Sequence, residues 1–82
     1  MSMHGWITRF QESIDYIERN IKDELDVKHI AGKAALSSFY YQRLFGALCG
    51  MTLAEYIRGR RMTLAAQELA SSGSKVIDVA LR

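Results

Sequence analysis

The chain contains no proline, a single cysteine and only two histidines. With 49% hydrophobic residues as well, the lack of proline excludes a disordered chain or one rich in rigid turns. Cys49 has no partner for an internal disulfide, which fits a reducing, cytoplasmic setting. No apolar run approaches the roughly 18 residues that a membrane span needs, and no signal-peptide pattern opens the sequence. His4 and His29 lie far apart and share no ligand spacing with Cys49. A metal site needs three or four converging ligands, so no metal is expected. There is no Ser/His/Asp set, glycine-rich phosphate loop or inward carboxylate pair. The sequence therefore argues against an enzyme and implies no cofactor.

What is present is helical periodicity and uneven charge. Residues 1–26 carry three basic and six acidic side chains, and residues 27–82 carry eight basic and three acidic. An acidic start followed by a basic remainder suits a module that shows one surface to a polyanion. Ile7, Phe10, Ile14, Ile17 and Ile21 recur at three- and four-residue steps, which predicts an amphipathic first helix with Trp6 anchoring its start. Leu25 is expected to plug into the core. Asp26 can cap a short second helix that buries Val27, Ile30, Ala31 and Ala34. Only Ala35 and Leu36 separate this helix from Ser37, the arrangement of a helix-turn-helix.

Ser37 predicts the start of a third helix, 37–49, closed by Gly50 in the left-handed position. A step of about 100° per residue places Tyr41, Leu44, Phe45 and Leu48 on its inner side. Phe39, Gln42, Arg43 and Gly46 fall on the other. That outer set has the chemistry for reading a DNA major groove. Arginine pairs with guanine O6 and N7, glutamine with adenine N6 and N7, and an aromatic ring touches a thymine methyl.

Thr52 predicts the cap of a fourth helix running from Leu53 to about Ser71. Leu53, Ile57 and Leu64 lie on one face of it, and Met62, Ala65 and Leu69 on nearly the opposite one. Two offset stripes are the pattern of a helix linking two packed subdomains. After a Ser71-Ser-Gly-Ser74 loop, Val76, Ile77, Val79, Ala80 and Leu81 open a fifth helix. The chain reads as ending mid-unit, as a fragment would.

These stretches resemble the AraC/XylS family of bacterial transcription regulators. The carrying segments are Leu25-Asp-Val-Lys-His-Ile-Ala31, Leu36-Ser-Ser-Phe-Tyr-Tyr-Gln-Arg-Leu-Phe45, Gly50-Met-Thr-Leu-Ala-Glu-Tyr-Ile-Arg-Gly-Arg-Arg-Met62 and Val76-Ile-Asp-Val-Ala80. The wording Cys49-Gly-Met-Thr52 also resembles the subgroup that carries a GyrI-like ligand-binding domain. The resemblance implies an all-α fold with a homeodomain-like first helix-turn-helix subdomain over residues 6–50. A linker helix over 52–72 and the truncated start of a second helix-turn-helix over 75–82 follow.

The resemblance further implies double-stranded DNA as partner, with Ser38, Phe39, Gln42 and Arg43 matching base-facing positions. For the intact parent, the resemblance allows a contact with RNA polymerase. Candidates for phosphate contact are Ser37, Tyr40, Arg58, Arg60 and Arg61. At least one of these arginines is expected on phosphate, and another in an internal ion pair with Glu55 or Glu68. The turn position often filled by glycine in the family is Ala35 here, which predicts backbone strain if its φ is positive. A rival reading is a small helical interaction or dimerisation domain that self-associates through the apolar segment 76–81.

Overall fold

The computed structural model describes residues 3–71. These form four helices: α1 Met3–Arg19, α2 Val27–Lys33, α3 Ser38–Cys49 and α4 Leu53–Ser71. No strand occurs among the described residues. The expected subdomain at 75–82, and the apolar segment 76–81, lie outside them.

Local chemistry sets each boundary. The Asn20 side chain donates to the Tyr16 carbonyl at 2.9 Å and helps close α1. Asp26 accepts from the Lys28 amide to open α2. Ser37 accepts from the Tyr40 amide at 3.2 Å to open α3, and Gly50, at φ 71°, closes it. At the head of α4, Thr52 and Glu55 satisfy each other's amides at 2.9 and 3.1 Å, a reciprocal capping box. The Thr52 amide, and then the Thr52 side chain, hold the Glu55 carboxyl below the usual carboxylate range.

The turn between α2 and α3 carries the expected strain. Ala35 has φ 58°, the only positive φ outside glycine among the described residues. Its amide bonds to the Gly32 carbonyl at 3.0 Å, and that of Leu36 to Ala31 at 3.1 Å. These paired bonds make a Schellman ending, in which glycine usually takes the left-handed place.

Helices α1 to α3 and the first turn of α4 enclose one core. Ile17 and Ile21 meet Ile30, Ala31 and Ala34, then Tyr41, Phe45 and Leu53. Phe10, Ile14, Leu25, Val27, Ile57 and Leu64 are partly covered around it. The Phe45 ring lies 6.1 Å from Phe10, 6.1 Å from Tyr41 and 5.5 Å from Tyr56. It thereby joins α3 to α1 and α4.

Three apolar positions depart from the periodicity. Trp6 and Ile7 are 44% and 49% exposed, because the core cluster begins at Phe10 and covers only the later turns of α1. Leu48 is also half exposed. It sits in the last turn of α3, where Gly50 turns the chain and Leu53 takes the buried place instead. Along α4, Leu53 is buried and Ile57 and Leu64 are half-buried; on the second stripe Met62 and Ala65 are exposed and Leu69 is half-buried.

Candidate nucleic-acid interface

Helix α3 is fixed from behind and open in front. Behind, Tyr41 and Phe45 are fully buried. The Tyr41 hydroxyl is 2.7 Å from the Ser13 hydroxyl, which itself donates to the Phe10 carbonyl. Ser13 has a single hydrogen to give, so Tyr41 donates to Ser13 and Ser13 to Phe10. Burial pushes the Tyr41 phenol up from its ordinary pKa, so it stays neutral and keeps that proton.

In front, Phe39 and Tyr40 are 63% and 66% exposed. Gln42 and Arg43 are exposed and Ser38 is partly covered. The Arg43 guanidinium carbon lies 5.6 Å from the centre of the Phe39 ring, a cation–π pair one helical turn apart. Phe39 in turn meets the Tyr40 ring edge-on at 5.8 Å and 76°. The Gln42 amide is turned back, donating to the Ser38 carbonyl at 3.3 Å. The Ser37 oxygen serves the cap as an acceptor, which leaves its hydroxyl hydrogen to donate elsewhere.

The basic residues of α4 divide into two kinds. Arg58 is exposed. Arg60 forks onto Glu18 of α1, through Nε at 3.2 and 3.0 Å and Nη2 at 2.8 Å. Arg61 donates from Nε to the Ile21 carbonyl at 2.8 Å and from Nη2 to that of Asp23 at 2.7 Å. The expected internal ion pair exists, but its carboxylate is Glu18 and neither Glu55 nor Glu68. Glu55 is spent on the α4 cap, and Glu68 pairs with Lys22. Arg60 and Arg61 thus turn these donors inward, which weakens their case as phosphate contacts relative to Arg58.

Glu18 also accepts a 2.6 Å bond from the Tyr56 hydroxyl. The Arg60 bonds, and then that from Tyr56, hold the Glu18 carboxyl below its ordinary pKa. Burial and the same carboxylate push Tyr56 up to about 12. Because the Tyr56 ring rests on Phe45, this α1–α4 network reaches the back of α3. Sequence reasoning missed it, since Glu18 and Arg60 are 42 residues apart. The one available signal was that Glu18 borders the apolar stripe of α1.

Among the described residues, no three His, Cys, Asp or Glu side chains converge on a possible metal position. No described helix is long and apolar enough to cross a membrane.

Two short helices meeting through a tight turn, the second with its outer face open, define a helix-turn-helix module. A family model described as a helix-turn-helix domain matches residues 30–82. The chain is 39% identical over 75 residues to the Tn10 TetD protein of Escherichia coli, covering 92% of this chain and 54% of that protein. It is 40% identical over 80 residues to the HTH-type transcriptional activator AarP of Providencia stuartii, covering 92% and 59%. The regulatory protein SoxS of Salmonella typhimurium is 38% identical over 71 residues, covering 87% and 66%. The chain belongs to the AraC/XylS family of helix-turn-helix transcription regulators. It spans between about half and two thirds of the length of these relatives.

Proposed function

We propose that this chain binds double-stranded DNA by sequence, laying α3 in the major groove as part of a bacterial transcription regulator acting in the cytoplasm. The observation that carries the reading is the two-sided character of α3. Tyr41 and Phe45 lock one side into the core, while Phe39, Gln42 and Arg43 are exposed on the other. A reading head needs both properties, because base contacts tolerate little play in the element that presents them.

In this reading Arg43 takes guanine O6 and N7, and Phe39 meets a methyl group. Gln42 pairs with adenine after leaving the Ser38 carbonyl, and Ser38 lies at the groove edge. Ser37, Tyr40 and Arg58 bond phosphates, with the α3 N-terminus contributing its amides. Arg60 and Arg61 serve chiefly to hold α4 against α1. Residues 6–50 form the reading unit, 52–72 the linker, and 75–82 the start of a second unit. In an intact regulator, that second unit, a sensing domain and a contact with RNA polymerase supply the remaining affinity and the control.

One head with few phosphate contacts binds weakly, roughly 10⁻⁴ to 10⁻⁶ M at physiological salt. The test is selection from a random duplex pool at low salt by the parent chain and by Arg43→Ala. The parent enriches a short motif containing guanine. The variant keeps its helical spectrum and loses about 1–3 kcal/mol of discrimination at that guanine. Equal, unselective binding by both proteins would overturn the proposal.

A further inference from the structure

The core of this module is apolar except at one point. Among the described residues, Ser13 is the one buried polar side chain besides the phenol of Tyr41, and the two hydroxyls meet at 2.7 Å. We infer that this hydrogen bond is a positioning contact that sets the rotation of α3 about its own axis. Ser13 and Tyr41 are both fully buried and neither reaches DNA, yet they determine how sharply the outer face discriminates between sequences. The inference rests on the proposed DNA reading and adds the residues that aim the reading head.

Stability does not account for the pair. Replacing both partners of a buried hydrogen bond by apolar groups of the same shape is close to neutral, so alanine and phenylalanine would fill these two places as well. What the polar pair supplies is direction. Phe10 also links α1 to α3, its ring lying 5.6 Å from that of Tyr41 and 6.1 Å from that of Phe45. Such ring contacts hold over a range of offsets, because the hydrophobic driving force has no direction. A hydrogen bond has one. Among the described residues, Ser13–Tyr41 is the one side-chain hydrogen bond from α3 to another helix.

Geometry matches the bond to this task. A helix with its side chains is about 10–12 Å across, so a turn of about 10° moves a side-chain end by about 1 Å. On the outer side, a binding constellation tolerates only about 0.5 Å of play. On the inner side, a shift of about 1 Å takes a 2.7 Å contact between oxygens out of hydrogen-bond range. The bond thus holds over the small rotations that base contacts tolerate and breaks at those that spoil them. Tyr41 is well placed, since Phe39, Gln42 and Arg43 all lie within two residues of it. The anchor is firm too. Ser13 gives its single hydrogen to the Phe10 carbonyl on α1, which keeps its oxygen turned toward Tyr41.

Three variants of the full chain test this: Tyr41→Phe, Ser13→Ala and the two together. Urea titration followed by circular dichroism first ranks their stability. Tyr41→Phe and the double variant should stay close to the parent, because neither leaves a buried polar group unpaired; in Tyr41→Phe the Ser13 hydroxyl still serves Phe10. Ser13→Ala alone should be the least stable, since it strands the Tyr41 hydroxyl in the core. Fluorescence anisotropy at low salt then compares the motif selected by the parent with a scrambled duplex of equal length and composition. A bond biases orientation by no more than its own net worth, so removing it should cost about two- to tenfold on the motif. Tyr41→Phe and the double variant should both show that loss, with affinity for the scrambled duplex unchanged.

A motif preference that survives intact in Tyr41→Phe and in the double variant overturns this inference and leaves the DNA reading standing. Equal losses on the two duplexes overturn it too, since a purely structural defect lowers the folded fraction and weakens all binding alike. If the parent selects no motif, the DNA reading and this inference fall together. Tyr41→Phe keeps the remaining polar groups paired, so the comparison does not depend on a damaged core.

Discussion

Replacing Ala35 by glycine should stabilise the chain. Ala35 holds φ at 58°, and its side chain is exposed, so removing the methyl group sacrifices no buried contact. The left-handed conformation costs an L-residue about 1–2 kcal/mol, because Cβ crowds the following carbonyl oxygen. Glycine escapes that cost but brings about 0.5–1 kcal/mol of additional unfolded-chain entropy. The middle of each range leaves Ala35→Gly more stable by about 0.75 kcal/mol. For a domain of this size, that corresponds to a rise in Tm of roughly 3–6 °C. Thermal melts followed at 222 nm, paired with urea titrations, measure it directly. A β-branched residue should move the other way, since Ala35→Val adds crowding at the same φ. An unchanged or lowered Tm for Ala35→Gly would refute the strain argument and show that the turn relaxes without cost. Because Ala35 lies outside the α3 face, the DNA preference of the glycine variant should match that of the parent.

Further outcomes follow from the contacts behind α3. Glu18→Gln should lower stability at neutral pH by about 1–2 kcal/mol, because the Arg60 fork and the Tyr56 bond are charge-assisted but half exposed. Glu18 has a lowered pKa when folded, so its contribution is complete above the ordinary carboxylate range and is lost as pH falls through the folded value. Urea titrations across pH 3–7 should accordingly show the gap between parent and Glu18→Gln closing in acid; a pH-independent gap would contradict the assignment. Phe45→Ala should cost about 3–5 kcal/mol, as the ring touches Phe10, Tyr41 and Tyr56. In so small a domain that loss should leave little folded population by circular dichroism, and a cooperative melt near the parental Tm would contradict the core described here.

Much of this fold was legible because its punctuation is local. The caps at Asp26, Ser37 and Thr52 act on amides two or three residues away, so a short window of sequence contains both partners. The inner and outer sides of α3 followed from periodicity alone, and so did the exposure of Phe39, Gln42 and Arg43. Periodicity failed where it had to supply length as well as direction. It points Ile7 and Leu48 toward the core, but says nothing of how far the covering helices reach. The partners of Arg60 and Arg61 were out of range for a different reason. Each bond closes a loop of about 40 residues, and only the packed arrangement of α1 against α4 brings the atoms together. The strain at Ala35 was readable as a conditional, since the missing glycine marked the place and the backbone supplied the angle.

The bonds along α4 also set how the gene for such a module can change. Glu18 accepts from Arg60, the Ile21 and Asp23 carbonyls accept from Arg61, and Lys22 pairs with Glu68. A substitution within α4 removes one of these contacts and leaves the rest. An inserted or deleted codon between Arg61 and Glu68 turns the outer end of the helix by about 100° and shifts it about 1.5 Å. Glu68 then faces away from Lys22, and every outward residue beyond it changes its bearing relative to α3. Drift in composition is cheap along this helix, whereas drift in length swings its far end round like a misindexed gear.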